Sequence, residues 1–241
     1  FEDFETAFGG LWMANVSDAG LKADANPTGS YAVQGEAAHG TKFVEVTNRN
    51  NWSSSIMYPM LNIVTDPARK SEDQPIGANG KYYLSAMVRL LENDEEIADE
   101  EFFIFPVLFG RVVGGSWVAS ESIGATVTEQ DGWVEIGKNA DGEYVPFDLS
   151  DFNTAAQDRL KLIFRTVSDE NNRADRATLL SYAIDNVVLW YVPNTDTEYD
   201  RKTKGTNLLD NGSFEDYEDG FSLPSTSATT WNRDGDSGLV L

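Results

Sequence analysis

Hydrophobic and polar residues alternate in short runs along this chain, and clusters of Gly, Pro, Asn and Asp separate the runs. Period-two alternation is typical of half-buried β-strands, whereas the 3.6-residue period of a helix is nearly absent. Many short strands joined by turns predict an all-β fold, a β-sandwich jelly roll of two antiparallel sheets. The runs place strands at 1–8, 42–48, 54–62, 81–91, 102–111, within 117–135, at 159–167 and at 180–192.

Several breaks in the pattern predict loops and turns. The stretch 66–80 has the composition of a loop, and Gln130-Asp131-Gly132 is typical of a turn. The charge run 92–101 predicts a solvated loop between hairpin strands, with cation binding as the alternative. Pro106 interrupts the run 102–111, so we expect an edge strand or a bulge there.

One sequence occurs twice in the chain. Phe1–Phe8 reads FEDFETAF and Phe214–Phe221 reads FEDYEDGF, which indicates the start of one structural unit repeated. The repeat predicts a first module at 1–192, a polar linker at 193–206 and the truncated start of a second, similar module at 207–241.

The second copy has a lead-in, Thr206–Ser213 (TNLLDNGS), that the first copy lacks. We therefore also expect that this lead-in could dock where the missing strand of the first module belongs. The docking partner would be the same chain or a neighbouring copy, as an exchange of identical elements.

Charge narrows the range of partners. The chain has 40 acidic and 18 basic residues, a formal net charge of −22, which argues against nucleic acid or an anionic membrane as the main partner. It suits a neutral ligand or a divalent cation. No apolar run approaches the length of a membrane span, so we expect no membrane insertion.

The sequence offers little for catalysis. There are no cysteines and one histidine, which excludes thiol chemistry and a site with several histidines. No hydrolase elbow, phosphate loop or metalloprotease motif occurs. His39 lies just before a strand and is interpreted as a turn residue. We expect that the chain is not an enzyme.

Aromatic residues give the better functional hypothesis. Flat rings bind the apolar faces of sugars while polar groups bind the hydroxyls. Trp52 follows a strong strand and the hydrogen-bonding residues Asn48 and Arg49, without apolar alternation around it, so we interpret it as a ligand-binding residue. Trp117, in a Gly-rich setting, stays open between binding and packing.

The remaining aromatic residues divide into two groups. Trp12, Trp133 and Trp190 are interpreted as packing residues. Tyr58, Tyr83, Phe109 and Arg111 are weaker ligand candidates, because period two alone does not tell which face of a strand is open.

The acidic residues predict a structural calcium site. Ca²⁺ takes six to eight oxygen ligands. Glu2 near the first strand and Asp185 in the apolar run 180–192 would meet if the first and last strands are neighbours, and carbonyls near Thr41 would complete the shell. Hydrogen bonding of Asp185 to backbone amides is the alternative, since a buried carboxylate needs a partner.

The sequence resembles the carbohydrate-binding modules of families 4, 9 and 22. The resemblance rests on motifs that occur in a matching order over 1–192, together with the second start NLLDNGSFE. The matching motifs are Phe1-Glu2-Asp3, Gly40-Thr41-Lys42-Phe43-Val44, Asn48-Arg49 with Trp52, Gly80–Ser85 with Val88-Arg89, Asp131-Gly132-Trp133 and Tyr182–Val187.

The resemblance implies a jelly roll with a glycan cleft across one sheet and a structural calcium away from it. Glu2 and Asp185 then match calcium ligands, and Trp52 matches a sugar-stacking position. Such modules accompany bacterial endoxylanases, in tandem in those of gut bacteria. The implied protein is secreted or at the cell surface, with any signal upstream of Phe1, and is linked to a glycoside hydrolase and a second module.

The leading hypothesis is thus a non-catalytic module that binds xylan-type chains through an aromatic-lined cleft. Three alternatives remain open: a β-glucan or laminarin ligand, a structural or adhesion domain without a glycan site, and a β-sandwich lyase or hydrolase.

Overall fold

The computed structural model describes residues 12–15, 28–31, 37–40, 43–47, 49, 55–61, 80–91, 102–111, 117–149, 160–167, 180–194, 209 and 212–213. Over these ranges no helix has the length and apolar character needed to cross a bilayer. The described residues form eleven β-strands: β1 (Met13–Asn15), β2 (Thr28–Tyr31), β3 (Val44–Thr47), β4 (Ser55–Leu61), β5 (Gly80–Leu90), β6 (Phe102–Arg111), β7 (Trp117–Glu121), β8 (Ala125–Val127), β9 (Val134–Ile136), β10 (Leu160–Val167) and β11 (Tyr182–Pro193).

The strands form two antiparallel sheets, which confirms the predicted all-β sandwich. Within the described residues, a six-stranded sheet has the order β1-β4-β10-β6-β7, with β8 also paired to β6, and a five-stranded sheet has the order β2-β3-β11-β5-β9. The strand pairs in both sheets are antiparallel. Neighbours in the sheets are mostly distant in sequence, as expected for a jelly roll.

One hydrophobic core lies between the sheets, because alternate residues of each strand point inward. The six-stranded sheet contributes Ile104, Leu108 and Phe164, and the five-stranded sheet contributes Leu84 and Ile184, all fully buried. Trp12 and Trp190 are also fully buried, which confirms the prediction that both pack rather than bind.

Pro106 does not lie in an edge strand, because β6 lies between β10 on one side and β7 and β8 on the other. The irregularity predicted as the alternative is present, since the pairing on the β7 and β8 side is interrupted between Val107–Glu121 and Ile104–Ala125. The carbonyl of Pro106 accepts a hydrogen bond from the amide of Ser122 (3.1 Å). Pro106 therefore faces the connection between β7 and β8, where the regular ladder stops and a missing N–H costs little. Gly124 in this connection lies so close to β6 that an added Cβ would sit 2.0 Å from the carbonyl oxygen of Ile104.

The turn predicted at 130–132 is confirmed. The carboxylate of Asp131 accepts hydrogen bonds from the amide and the hydroxyl of Thr128, each at 2.8 Å, and Gly132 adopts φ +64°. The sequence did not predict β1 and β2. The predicted strand 1–8 and nearly all of the loops 66–80 and 92–101 lie outside the described residues.

Part of the segment assigned to a second module contacts the first sandwich. Leu209 is 4% exposed and belongs to the main core. The carbonyl of Gly212 accepts a hydrogen bond from the amide of Val187 in β11 (2.7 Å). The boundaries at 192 and 207 stay predictions, but these two contacts join the lead-in to the sandwich.

Candidate functional site

An aromatic surface lies on the six-stranded sheet, on the side away from the core. Because Ile104 and Leu108 of β6 point inward, the alternate residues Phe103, Phe105 and Phe109 point outward. With Met57, Val107 and Ile163 they form a hydrophobic cluster separate from the main core, in which Phe103 and Phe109 are only partly buried. We call this surface the Phe109 face.

Charged groups surround the ring of Phe109. The guanidinium carbon of Arg165 lies 4.4 Å from the ring centroid, and Lys161 Nζ lies 5.6 Å from it. Arg165 also pairs with Glu121 on β7 at 3.3 Å, with side-chain exposures of 14% and 46%. Cations over a ring are held by its quadrupole. The Phe109 face therefore combines an aromatic ring with a donor and a half-exposed carboxylate.

Two predicted ligand residues are placed at one end of the same hairpin. Arg111 and Trp117 are cross-strand partners in the β6–β7 register, one step beyond the pair Gly110–Val118 and two beyond Phe109–Ala119. Their side chains are outside what the structure describes. The register brings their backbones together beside the Phe109 face, and their binding role stays a prediction.

Tyr83 lies on the opposite sheet in a closed aromatic cluster. Its ring stacks on Trp190 at 5.5 Å and 18°, and Tyr144 covers Trp190 edge-on at 4.8 Å. The hydroxyl of Tyr144 donates a hydrogen bond to the carboxylate of Glu135 in β9 at 2.8 Å. This bond holds the Tyr144 ring over Trp190. Tyr83 is 2% exposed, so the predicted ligand residue packs under a loop instead of facing a cleft.

Arg49, which was predicted to bind the ligand, is also buried. Its guanidinium donates to the carbonyl of Leu180 at 2.8 Å and to the hydroxyl of Thr166, and lies 5.1 Å from the centroid of the Tyr182 ring. Burial lowers the Arg49 pKa to about 10. Arg49 therefore joins the end of β3 to β10 and to the start of β11.

Asp185 has a 0% exposed side chain at a bulge in β11. Its carboxylate accepts hydrogen bonds from the backbone amides of His39 (2.7 Å) and Asn186 (2.5 Å). Burial raises the Asp185 pKa to about 6, and these amides offset part of that rise. The backbone-amide alternative is therefore observed, and His39 lies in the expected bend, using its amide and not its imidazole in this contact.

Of the three residues predicted to bind calcium, Asp185 is the one that lies among the described residues. Among the described residues no group of three or more acidic, His or Cys side chains could hold a metal. The carboxylate of Asp185 accepts backbone hydrogen bonds from Ala38, His39 and Asn186, whereas an ionised carboxylate has about four lone-pair directions. A buried carboxylate with a raised pKa is compatible with a nearby cation, which would favour the ionised form. Glu2 and Thr41 lie outside the described residues, as do Asn48 and Trp52.

Sequence reasoning did not select Phe103, Lys161, Arg165 or Glu121. A signal was present in β10, where Lys161, Ile163 and Arg165 occupy alternate positions of one face. What the sequence lacked was the pairing of β10 with β6, which places Lys161 opposite Phe109.

No family model matches this chain, and no curated protein does. Several solved structures have a similar arrangement. The C-terminal family 22 carbohydrate-binding module of Clostridium thermocellum Xyn10B is 15% identical, with a TM-score of 0.48 over 78% of this chain and 89% of that one. The CBM22-2 xylan-binding domain of Paenibacillus barcinonensis Xyn10C is 11% identical, with a TM-score of 0.49 over 79% and 97%.

A third structure, the CBM22-1–GH10 modules of C. thermocellum Xyn10B with xylohexaose, is 14% identical with a TM-score of 0.46. The match covers 75% of this chain and 26% of that one. The three likenesses are too distant to carry a functional argument.

Proposed function

We propose that this chain is a non-catalytic carbohydrate-binding module that holds xylan-type chains and targets an attached glycoside hydrolase to its substrate. The observation that supports the proposal best is the Phe109 face. It presents a partly exposed ring beside a guanidinium and a carboxylate, the combination that sugar recognition uses.

The chemistry of the Phe109 face suits a neutral polysaccharide. A pyranose would place its C–H groups against the part of the Phe109 ring that Arg165 and Lys161 leave exposed. Glu121 and Arg165 would accept and donate hydrogen bonds at the sugar hydroxyls. The net charge of −22 would repel a strongly acidic polymer. A module linked to an enzyme raises the enzyme concentration at the polymer surface.

The choice of sheet follows from what covers the candidate ligand residues on each outer face. On the five-stranded sheet the loop that carries Tyr144 closes over Tyr83 and Trp190. On the six-stranded sheet Phe103 and Phe109 keep part of their surface exposed. Trp52, Trp117 and Arg111 are proposed to extend this face, since the first is the strongest sequence candidate and the other two are register partners next to it.

Titration calorimetry against soluble xylan tests the proposal, with β-glucan and laminarin titrated in parallel. Removing one stacking ring should weaken binding by about tenfold, so we expect that loss for Phe109→Ala and for Trp52→Ala. Trp133→Ala is the matched control, because Trp133 is a partly exposed ring directly before β9 of the other sheet, with its ring centroid 5.4 Å from that of Phe43. It should leave the affinity unchanged.

The outcomes separate the alternatives. Binding of β-glucan or laminarin but not xylan would change the ligand and keep the module. No binding to any glycan, or full affinity in both ring variants, would contradict the proposal and leave a structural or adhesion domain. Release of reducing sugar from xylan by the isolated chain would contradict the non-catalytic assignment.

The proposal includes a structural Ca²⁺ held by Asp185, Glu2 and the carbonyl of Thr41, and a secreted or cell-surface location. The carboxylate of Asp185 is 0% exposed, and a bound cation would compensate its buried charge together with the backbone amides of His39 and Asn186. The ion would stabilise the chain and take no part in sugar binding.

A further inference from the structure

The bulge in β11 leaves one backbone amide to be satisfied from outside the sheet. The register between β11 and β5 shifts between Asp185 and Val188, and Asn186 adopts φ +47°. Val187, inside this shift, is fully buried. A buried amide without an acceptor is costly. Its acceptor is the carbonyl of Gly212, at 2.7 Å.

The same segment supplies a core side chain. Leu209 is 4% exposed and belongs to the cluster between the two sheets, and Gly212 is buried. A residue that begins a separate module would bury its apolar side chain in that module's own core. Leu209 instead completes the core of the sandwich that ends with β11.

The chain between β11 and Leu209 is long enough for this return. From Asn194 back to Val187 a strand covers roughly 23 Å. Gly212 is the partner of Val187 and lies 18 Cα steps from Asn194 (212 minus 194), and a random coil of that length has an r.m.s. end-to-end distance of about 23 Å. A tether whose length matches the span gives the highest effective concentration, which favours docking within one chain over exchange with a neighbour.

We propose that Asn207–Ser213 is the closing segment of this sandwich, docked in cis beside the β11 bulge. The sequence NLLDNGS, which marks the start of a module, here ends one. The repeated FED motif at Phe214 then follows a docked segment of the first sandwich, and the boundary of the folded unit moves beyond Ser213. The surface beside Val187 is a binding site for this short sequence.

The experiment cuts the full chain after it has folded. A recognition sequence for a specific protease replaces residues 197–202, which lie between β11 and the segment. We expect the two fragments to co-elute as one monomeric complex in size exclusion with light scattering. A tenfold excess of a peptide of residues 206–221 should displace the native fragment over time. The same cut in Leu209→Asp should release the fragment.

Leu223→Asp is the matched control, since it places the same charge in the same tail beyond the segment, and it should keep the fragments together. Amide hydrogen exchange gives a second readout on the uncut chain. The Val187 amide should exchange at least about tenfold faster in Leu209→Ala, a milder variant in case Leu209→Asp fails to fold.

Three results would overturn the proposal. The first is a native-sequence fragment that separates from a still-folded sandwich. The second is a Val187 amide whose exchange does not change in Leu209→Ala. The third is cut protein that co-elutes only as a dimer, which would place the segment on a neighbouring chain.

Discussion

Replacing Asp185 by Asn should change how stability depends on pH. The carboxyl is 0% exposed, and its burial raises the pKa from its ordinary 3.8 to about 6. The folded protein therefore binds this proton below about pH 6, whereas the unfolded chain binds it only below about pH 4. Without a cation, stability must fall as pH rises through this window and level off above it.

The size of the effect follows from the two pKa values. Over the whole window the ionised carboxyl costs about 2 to 3 kcal/mol relative to the protonated form. Because the pI of the chain is about 4.2, measurements should stay at pH 5 and above. Between pH 7 and pH 5 the expected gain in unfolding free energy from this one group is about 1.3 kcal/mol.

Urea unfolding measures the unfolding free energy of the native protein and of Asp185→Asn. The measurements are made at pH 5, 6 and 7 in the presence of a chelator. Other carboxyls titrate in both proteins, so the difference between them isolates Asp185. That difference should shift by about 1.3 kcal/mol in favour of the native protein on going from pH 7 to pH 5. Parallel curves would refute the reasoning.

Asp131→Asn is the control, because the pKa of this carboxyl is shifted in the opposite direction. Its carboxylate accepts two hydrogen bonds from Thr128 in an exposed turn, and these bonds lower the Asp131 pKa. A lowered pKa gives stability that is present at neutral pH and is lost as acid protonates the group. That loss begins only below pH 5, because the ordinary pKa of an Asp carboxyl is 3.8 and the pKa of folded Asp131 is lower. The difference in stability between the native protein and Asp131→Asn should therefore stay constant between pH 7 and pH 5, unlike the difference for Asp185→Asn.

The other predictions are read from unfolding curves. Adding Ca²⁺ at millimolar concentration should raise the Tm of the native protein and leave Asp185→Asn unchanged; equal shifts in both would exclude Asp185 as a ligand. Arg49→Met should lose about 2 to 5 kcal/mol, because the carbonyl of Leu180 and the hydroxyl of Thr166 lose their buried donor; a loss below about 1 kcal/mol would mean that water replaces it. Gly137→Ala should destabilise by at least about 2 kcal/mol more than Gly142→Ala, since both have positive φ but only at Gly137 would a Cβ lie 2.0 Å from the Leu84 carbonyl oxygen; equal losses would show that the chain around Gly137 relaxes. Leu209→Ala should lose about 2 to 4 kcal/mol if Leu209 packs in the main core, and a loss near zero would contradict that placement.

Local sequence was sufficient for most of the strands and for the fold class. Alternation and turn chemistry depend on neighbours a few residues apart, so β3 to β6, β10, β11 and the turn at Asp131-Gly132 could be predicted. The short strands β1 and β2, of three and four residues, carry too little alternation to be recognised. The sequence also favoured packing over binding for Trp12 and Trp190, which are both fully buried.

Only the tertiary structure decided which side chains remain open to a ligand. Tyr83 and Phe109 both lie on alternating strands, yet the loop carrying Tyr144 closes over the first while the second stays partly exposed. Arg49 looked like a binding residue beside Trp52, but pairing across more than 100 residues carries it to Thr166 and Leu180. Such contacts depend on sheet order, which period-two patterns do not encode.

The sequence by itself determined that the chain folds as a sandwich of short antiparallel strands, because hydrophobic alternation requires one buried face on each strand. The sequence also revealed the repeated FED motif and the lead-in NLLDNGS. Only the tertiary structure showed where part of that lead-in goes, because the acceptor for the Val187 amide and the space for Leu209 exist only once β11 is paired with its bulge.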